Sequence, residues 1–164
     1  MKSNIILIGM PGSGKSTVGV VLAKNLGYHF IDSDLLIQER EHRLLSEIIE
    51  QDGLDRFNEI EEEVNASIEA DKCVIATGGS AVYGQRAMEH LRSIGTVVYL
   101  EVSYQETADR LGDLAKRGVS IREGQTLKDL YDERVPLYEK YAHITVSAQE
   151  FNIRNIVNDI VSKL

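Results

Sequence analysis

Gly9-Met10-Pro11-Gly12-Ser13-Gly14-Lys15-Ser16 completes the pattern G-x-x-x-x-G-K-[ST] directly behind the apolar run Ile5-Ile6-Leu7-Ile8. A short strand, a glycine turn and a helix in that order form a phosphate-binding βα unit, which confines the chain to an open α/β sheet. The glycines let the backbone wrap so that several N–H groups point at phosphate oxygens. Lys15 reaches the β- and γ-phosphates, and the Ser16 hydroxyl is placed for Mg²⁺. The following helix, with Val18, Val21 and Leu22 read as its apolar face, adds its positive end. A nucleoside triphosphate, ATP or GTP, is the expected ligand.

The rest of the chain alternates in the same way. Strand signals recur at 4–8, 29–31, 73–76, 96–101 and 144–146, each short and rich in Ile or Val. Helical spacing fills the gaps, as in Phe57, Ile60, Val64 and Ile68 and in the terminal stripe from Ile153 to Leu164. Strands alternating with helices imply right-handed βαβ units, a parallel sheet covered on both faces, and ligands at the carboxyl ends of the strands. The 164 residues show no composition shift or linker, so one domain over 1–164 is expected.

Two further segments fall at that ligand edge. Asp32-Ser33-Asp34 follows the second strand and Thr77-Gly78-Gly79-Ser80 the third. If the chain stays extended through Asp34, the two carboxylates stand two positions apart at that edge, one read as serving Mg²⁺ and the other an acceptor hydroxyl. Alternatively Asp32 and Ser33 cap the next helix, and both roles are compatible. From Gly112 to Gly124 the sequence is punctuated by glycine and carries Lys116, Arg117 and Arg122, which reads as a cationic lid for a phosphoryl-transfer enzyme.

Charge and composition exclude other classes. A net charge of −8 without a basic stripe argues against a nucleic-acid surface, and no apolar run approaches the roughly 20 residues of a membrane span. The amino-terminal apolar stretch breaks at Pro11-Gly12, unlike a signal peptide, so a cytoplasmic location is expected. Cys73 has no second cysteine to pair with and reads as a small buried hydrophobe. His29, His42, His90 and His143 lack the spacing of a metal cage. The acidic run Glu59 to Glu63, interrupted by Ile60, reads as a solvated helix face. Nothing points to a large apolar interface, and a monomer is expected.

In sequence the chain resembles the shikimate kinases, small phosphate-loop proteins related to the nucleoside-monophosphate kinases. The resemblance runs over essentially the full length. It rests on Gly-Met-Pro-Gly-Ser-Gly-Lys-Ser-Thr at 9–17, Phe-Ile-Asp-Ser-Asp at 30–34, Gly-Leu-Asp-Arg-Phe at 53–57 and Ile-Ala-Thr-Gly-Gly at 75–79. Asp109-Arg110 and Glu-Arg-Val-Pro-Leu-Tyr at 133–138 complete it. It implies a three-layer fold, a five-stranded parallel sheet with helices on both faces and a mobile lid over about 112–124. The implied reaction moves the γ-phosphate of ATP to a hydroxyl of shikimate.

On this resemblance Gly12, Ser13, Gly14, Lys15, Ser16 and Thr17 hold the phosphates, while Ser16 and, through water, Asp32 hold Mg²⁺. Asp34 contacts the acceptor hydroxyls as base or orienter. Arg110 lies against adenine, Arg117 is the lid arginine, and Arg134 pairs bidentately with the acceptor carboxylate. Gly78 and Gly79 line the acceptor.

The chain departs from the family pattern at three places. Position 58, an arginine that helps bind the acceptor carboxylate in the family, is Asn58, and Arg56 lies about 200° around the helix from it. The third glycine of the Gly-Gly-Gly turn is Ser80. The lid arginine is followed by Gly118 rather than proline. Two of these changes touch the acceptor side, which leaves a related kinase acting on a hydroxy amino acid or sugar acid as one alternative. A nucleotide-binding regulatory module without catalysis is another.

Overall fold

The structure is a computed structural model that describes residues 3–112 and 121–164. Its strands are β1 (Asn4–Ile8), β2 (His29–Asp32), β3 (Cys73–Ala76), β4 (Gly95–Glu101) and β5 (Ile144–Ser147). They form one all-parallel sheet in the order β2-β3-β1-β4-β5. Each expected strand is present, three of them one residue longer than the apolar pattern alone indicates.

Alternation along β1 divides the core into two layers. Ile5 and Leu7 face one side with Val18 and Leu22 of α1 (Lys15–Leu26) and Ile156 and Ile160 of α8 (Ile153–Lys163). Ile6 and Ile8 face the other with Met88 and Leu91 of α5 (Gln85–Ile94) and Tyr138 of α7 (Leu127–Tyr141). Every residue of β1 is buried, which explains its unbroken apolar run. Complete burial of Ile6, Leu7 and Ile8 stabilises the sheet by about 1.5–3 kcal/mol for each side chain.

The α1 face differs from the expected one. Besides Lys15, the buried residues are Val18, Gly19, Leu22 and Ala23, whereas Val21 is 38% exposed. Gly19 sets this rotation: a Cβ there would lie 2.6 Å from Cε1 of Phe30, so its bare backbone lets the helix sit close against that ring.

Between β2 and β3 the chain inserts α2 (Ser33–Glu41), α3 (Leu45–Asp52) and α4 (Leu54–Ala66). Ile37, Ile48, Phe57, Ile60 and Val64 give these helices a small core of their own beside the sheet. β1 lies between β3 and β4, where the strand order reverses: the connection from β1 to β2 runs to one side and that from β3 to β4 crosses to the other, so a crevice opens beyond its carboxyl end. The helical insertion forms one wall of that crevice. The remaining helix, α6 (Tyr104–Leu111), precedes the segment expected to be the lid. Lys116 and Arg117 lie outside the described residues. Among the described residues, no helix is long and apolar enough to cross a membrane.

Candidate active site

A cavity of about 400 Å³ lies at this crevice, between the loop after β1, the turn after β3, and helices α2, α4 and α7. Its phosphate-loop wall is built from Gly12, Gly14, Lys15, Ser16 and Thr17. Gly12 and Gly14 take φ values of 79° and 99°, a left-handed region that L side chains rarely adopt, so the loop's curvature requires glycine there. Lys15 is 8% exposed and its Nζ donates to the carbonyls of Gly9 at 2.7 Å and Met10 at 2.9 Å. The Ser13 side chain is buried, with Oγ 3.5 Å from the same amine. Burial lowers the Lys15 pKa to about 8, against the opposing pull of Asp34. The loop thus stores its ammonium group folded back on its own backbone.

Asp32 ends β2 and serves two neighbours at once. Oδ2 accepts from the Ser16 hydroxyl at 2.9 Å, and Oδ1 accepts from the Asp34 amide at 3.0 Å as the N-cap of α2. The helix therefore begins at Ser33, and the expected extended chain through Asp34 is replaced by a helical turn. An oxygen acceptor at the cap satisfies an amide that would otherwise have no intrahelical partner. Capping and proximity to the phosphate loop coexist in Asp32.

The opposite wall brings together Asp34, Gly78, Gly79 and Arg134, all anticipated, with Glu61 and Ser80. Arg134 is 1% exposed, fixed on α7 behind a capping box made by Thr126 and Asp129. Its Nε donates to the Tyr83 hydroxyl at 3.2 Å, and its guanidinium carbon lies 5.3 Å from that ring's centre. Gly79 leaves the space this arginine needs: a Cβ there would sit 2.9 Å from Nη1 of Arg134 and 2.7 Å from Cδ of Pro11. Tyr138 fixes the turn by donating to the Gly79 carbonyl at 2.6 Å.

Glu61 corrects the reading of residues 59–63 as a solvated face. It is 2% exposed, because Phe57, Ile60, Glu61, Val64 and Asn65 share the buried side of α4. The helical spacing of its apolar neighbours was the signal available in the sequence. Ser80 donates to Glu61 Oε1 at 2.6 Å, so its hydroxyl is directed away from free space and onto the carboxyl. Burial raises the Glu61 pKa to about 7, with the Ser80 hydrogen bond opposing. Burial and the neighbouring Asp32 raise Asp34 to about 6.

Two anticipated residues lie elsewhere. Asn58 is not in this wall; it lines a separate cavity of about 230 Å³ with Tyr83 and Arg122. Arg56 is turned to solvent, paired with Glu59 at 3.1 Å and Glu63 at 3.6 Å, as its helix angle requires. Arg110 sits behind the phosphate loop, donating to the carbonyls of Gly12 at 3.1 Å, Ala148 at 2.8 Å and Gln149 at 3.0 Å. Its guanidinium also faces the exposed ring of Phe151 at 5.5 Å. That places a cation and an aromatic ring at the outer end of the loop, which suits a nucleobase.

The fold and the loop together define a small phosphate-loop kinase. A family model for shikimate kinase matches residues 11–164, and the chain belongs to the shikimate kinase family. It is 40% identical to the shikimate kinase of Mycobacterium avium over 167 residues, covering 100% of this chain and 94% of that protein. It is 38% identical to the shikimate kinase of Haemophilus influenzae strain Rd over 164 residues, covering 98% and 91%. The structure of a shikimate kinase from Acinetobacter baumannii in complex with shikimate superposes with a TM-score of 0.88 at 33% identity, covering 98% of this chain and 92% of that one. A gluconokinase from Sinorhizobium meliloti, at 20% identity and a TM-score of 0.54, shares the fold alone.

Proposed function

We propose that this chain phosphorylates shikimate with ATP, acting as a single domain over residues 1–164. The observation that carries the reading is one cavity walled on one side by a complete phosphate loop and on the other by a buried arginine and two carboxyl groups. The relative solved with shikimate bound supports that acceptor. The chemistry follows from the placement. Backbone N–H groups of the loop and Lys15 hold the β- and γ-phosphates, with Gly12, Ser13, Gly14, Ser16 and Thr17 completing the cradle. Arg110 lies against adenine. Arg134 receives the acceptor carboxylate, a task suited to a planar guanidinium whose position is already fixed by packing.

Asp34 orients the acceptor hydroxyl and takes its proton at Oδ1, a buried oxygen without a partner. The hydroxyl oxygen then forms its bond to the γ-phosphorus as the bond to the ADP bridging oxygen breaks, and positioning and charge stabilisation supply the catalysis. A base held near 6 is ionised at neutral pH yet close enough to accept a proton. In this scheme Arg117, outside the described residues, is the arginine assigned to the transferred group by the family resemblance.

The residues at the loop also fit Mg²⁺. The Ser16 hydroxyl and an Asp32 carboxylate oxygen lie 2.9 Å apart, both hard oxygen donors. Among the described residues no set of three or more His, Cys, Asp or Glu side chains forms a cage. Such a sparse set suits a cation that keeps most of its waters and its bonds to phosphate. Bound there, it would neutralise charge on the β- and γ-phosphates. We assign the enzyme to aromatic amino-acid biosynthesis in the cytoplasm, working as a monomer.

Coupled ADP release tests the reading. Turnover stimulated by shikimate, and not by gluconate or homoserine, is the expected result. Absence of stimulation by shikimate, with ATP and Mg²⁺ saturating, would overturn it.

A further inference from the structure

Arg134 is the cation of the acceptor wall, and a phenol orients it. Tyr83 ends the 3₁₀ turn Ala81–Tyr83, which follows the glycine turn after β3. Its hydroxyl oxygen accepts from Arg134 Nε at 3.2 Å, and its ring centre lies 5.3 Å from the guanidinium carbon. The N–H on Nε lies in the rigid guanidinium plane, so a bond at that atom together with a ring beside the carbon fixes how the plane is turned. Bidentate pairing depends on that turn, because its two parallel bonds need guanidinium and carboxylate in a common plane. A guanidinium turned out of plane would keep its charge but lose the second bond.

Core packing does not account for this tyrosine. Tyr83 belongs to none of the three apolar clusters. It lines the cavity of about 230 Å³ with Asn58, Gln125 and Glu133, whereas Arg134 lines the large one, so the contacting pair forms a partition between the two. Glu133, next to Arg134 on α7, interacts with the same hydroxyl and is held at Oε2 by Gln125 Nε2, 2.8 Å away. A hydroxyl that accepts from Arg134 still has its own hydrogen to give, and a carboxylate at the small cavity is suited to take it. The sequence Gln125, Glu133, Tyr83, Arg134 is thus a chain of polar contacts that ends on the acceptor wall.

We propose that Tyr83 is a positioning residue for acceptor binding that acts through Arg134, its hydroxyl turning the guanidinium so that the η nitrogens meet the acceptor carboxylate in one plane. The inference rests on the shikimate reading above and adds to it a residue that lies outside the acceptor wall. Burial raises the Tyr83 pKa, so the group stays an uncharged phenol at neutral pH. That neutrality matters. A carboxylate in the same place would offset the charge of Arg134 and compete with the carboxylate of the ligand, whereas a phenol orients the guanidinium and leaves its charge to the acceptor.

The test is a double-mutant cycle on the intact enzyme, reading the shikimate KM, the ATP KM and kcat for wild type, Tyr83→Phe, Arg134→Ala and the double variant. Tyr83→Phe keeps the ring and removes only the hydroxyl. Its shikimate KM should rise about 3- to 10-fold, while kcat and the ATP KM stay within about twofold of wild type. In the Arg134→Ala background the same substitution should change the shikimate KM by less than about twofold, because no guanidinium is left to orient. A normal shikimate KM in Tyr83→Phe, an equal rise in the Arg134→Ala background, or an ATP KM that rises as much as the shikimate KM would each overturn the proposal. If Arg134→Ala does not fold, Arg134→Lys, which has no plane to orient, takes its place in the cycle. No shikimate turnover by wild type instead overturns the shikimate reading itself, and this inference with it.

Discussion

The two walls of the cavity are built on opposite principles. On the phosphate side the polar groups are already satisfied: Lys15 is held by two loop carbonyls and Ser16 by Asp32. On the acceptor side Asp34 Oδ1 and Glu61 Oε2 are buried without partners. The first wall is assembled by one turn of eight consecutive residues. The second draws on α2, α4, α7 and the turn after β3, each supplying one or two side chains. A local motif can be complete before its ligand arrives. A wall assembled from distant segments keeps its unpaired atoms for the molecule that it selects.

The sharpest way to break this contrast is Lys15→Ala. Removing a preorganised cation from the transferring phosphates should lower kcat by about 10²- to 10³-fold or more, measured by ADP release at saturating substrates. Near-normal turnover would show that the loop does not work as described. Arg134→Ala should act on the other wall, raising the acceptor KM about 10- to 100-fold while the ATP KM stays near normal. Arg134→Lys, which keeps charge but not the fork, should recover only part of the loss. If ATP binding suffers instead, Arg134 serves the wrong wall.

Smaller effects sharpen the comparison further. Asp34 must lose its proton to act, so kcat/KM for the acceptor should climb about tenfold per pH unit below 6 and level off above it. A profile flat from pH 5 to pH 7 would remove Asp34 from the chemistry. The least effect should be on stability. A Glu61 carboxyl held near 7, above its ordinary value of 4.5, keeps a proton that the unfolded chain has lost. Its contribution to stability is fully present below 4.5 and is lost as pH rises through 7. Glu61→Gln should therefore raise the melting temperature of the ligand-free protein at pH 8, by about 2–4 °C for each kcal/mol of relief, and change it little at pH 5. Equal shifts at both pH values would mean that Glu61 is not buried with its proton.

The same division governs what was legible in the chain. Five strands, their parallel pairing and the phosphate loop follow from short Ile and Val runs, helical spacing and one glycine pattern, since these signals act over a few residues. The face of α1 did not follow. Its rotation depends on Gly19 meeting the ring of Phe30, eleven positions away. The helical start at Ser33 was open in the sequence, because an aspartate at that place serves equally as the end of a strand or as a cap.

Glu61 shows the limit most directly. Charge content places it among solvated carboxylates, and only its spacing from Phe57, Ile60 and Val64 hints that it turns inward. The one-dimensional order of residues determined the strands and their alternation with helices, the nucleotide loop and the family, because each rests on a local pattern or on a motif read in order. Tertiary packing alone decided that Ser80 would meet Glu61, that Arg134 would be buried behind Gly79, and that Asn58 would line a second cavity. Those outcomes depend on which segments, far apart along the chain, are brought within a few ångströms and shielded from water, where a hydrogen bond or a charge has its largest effect.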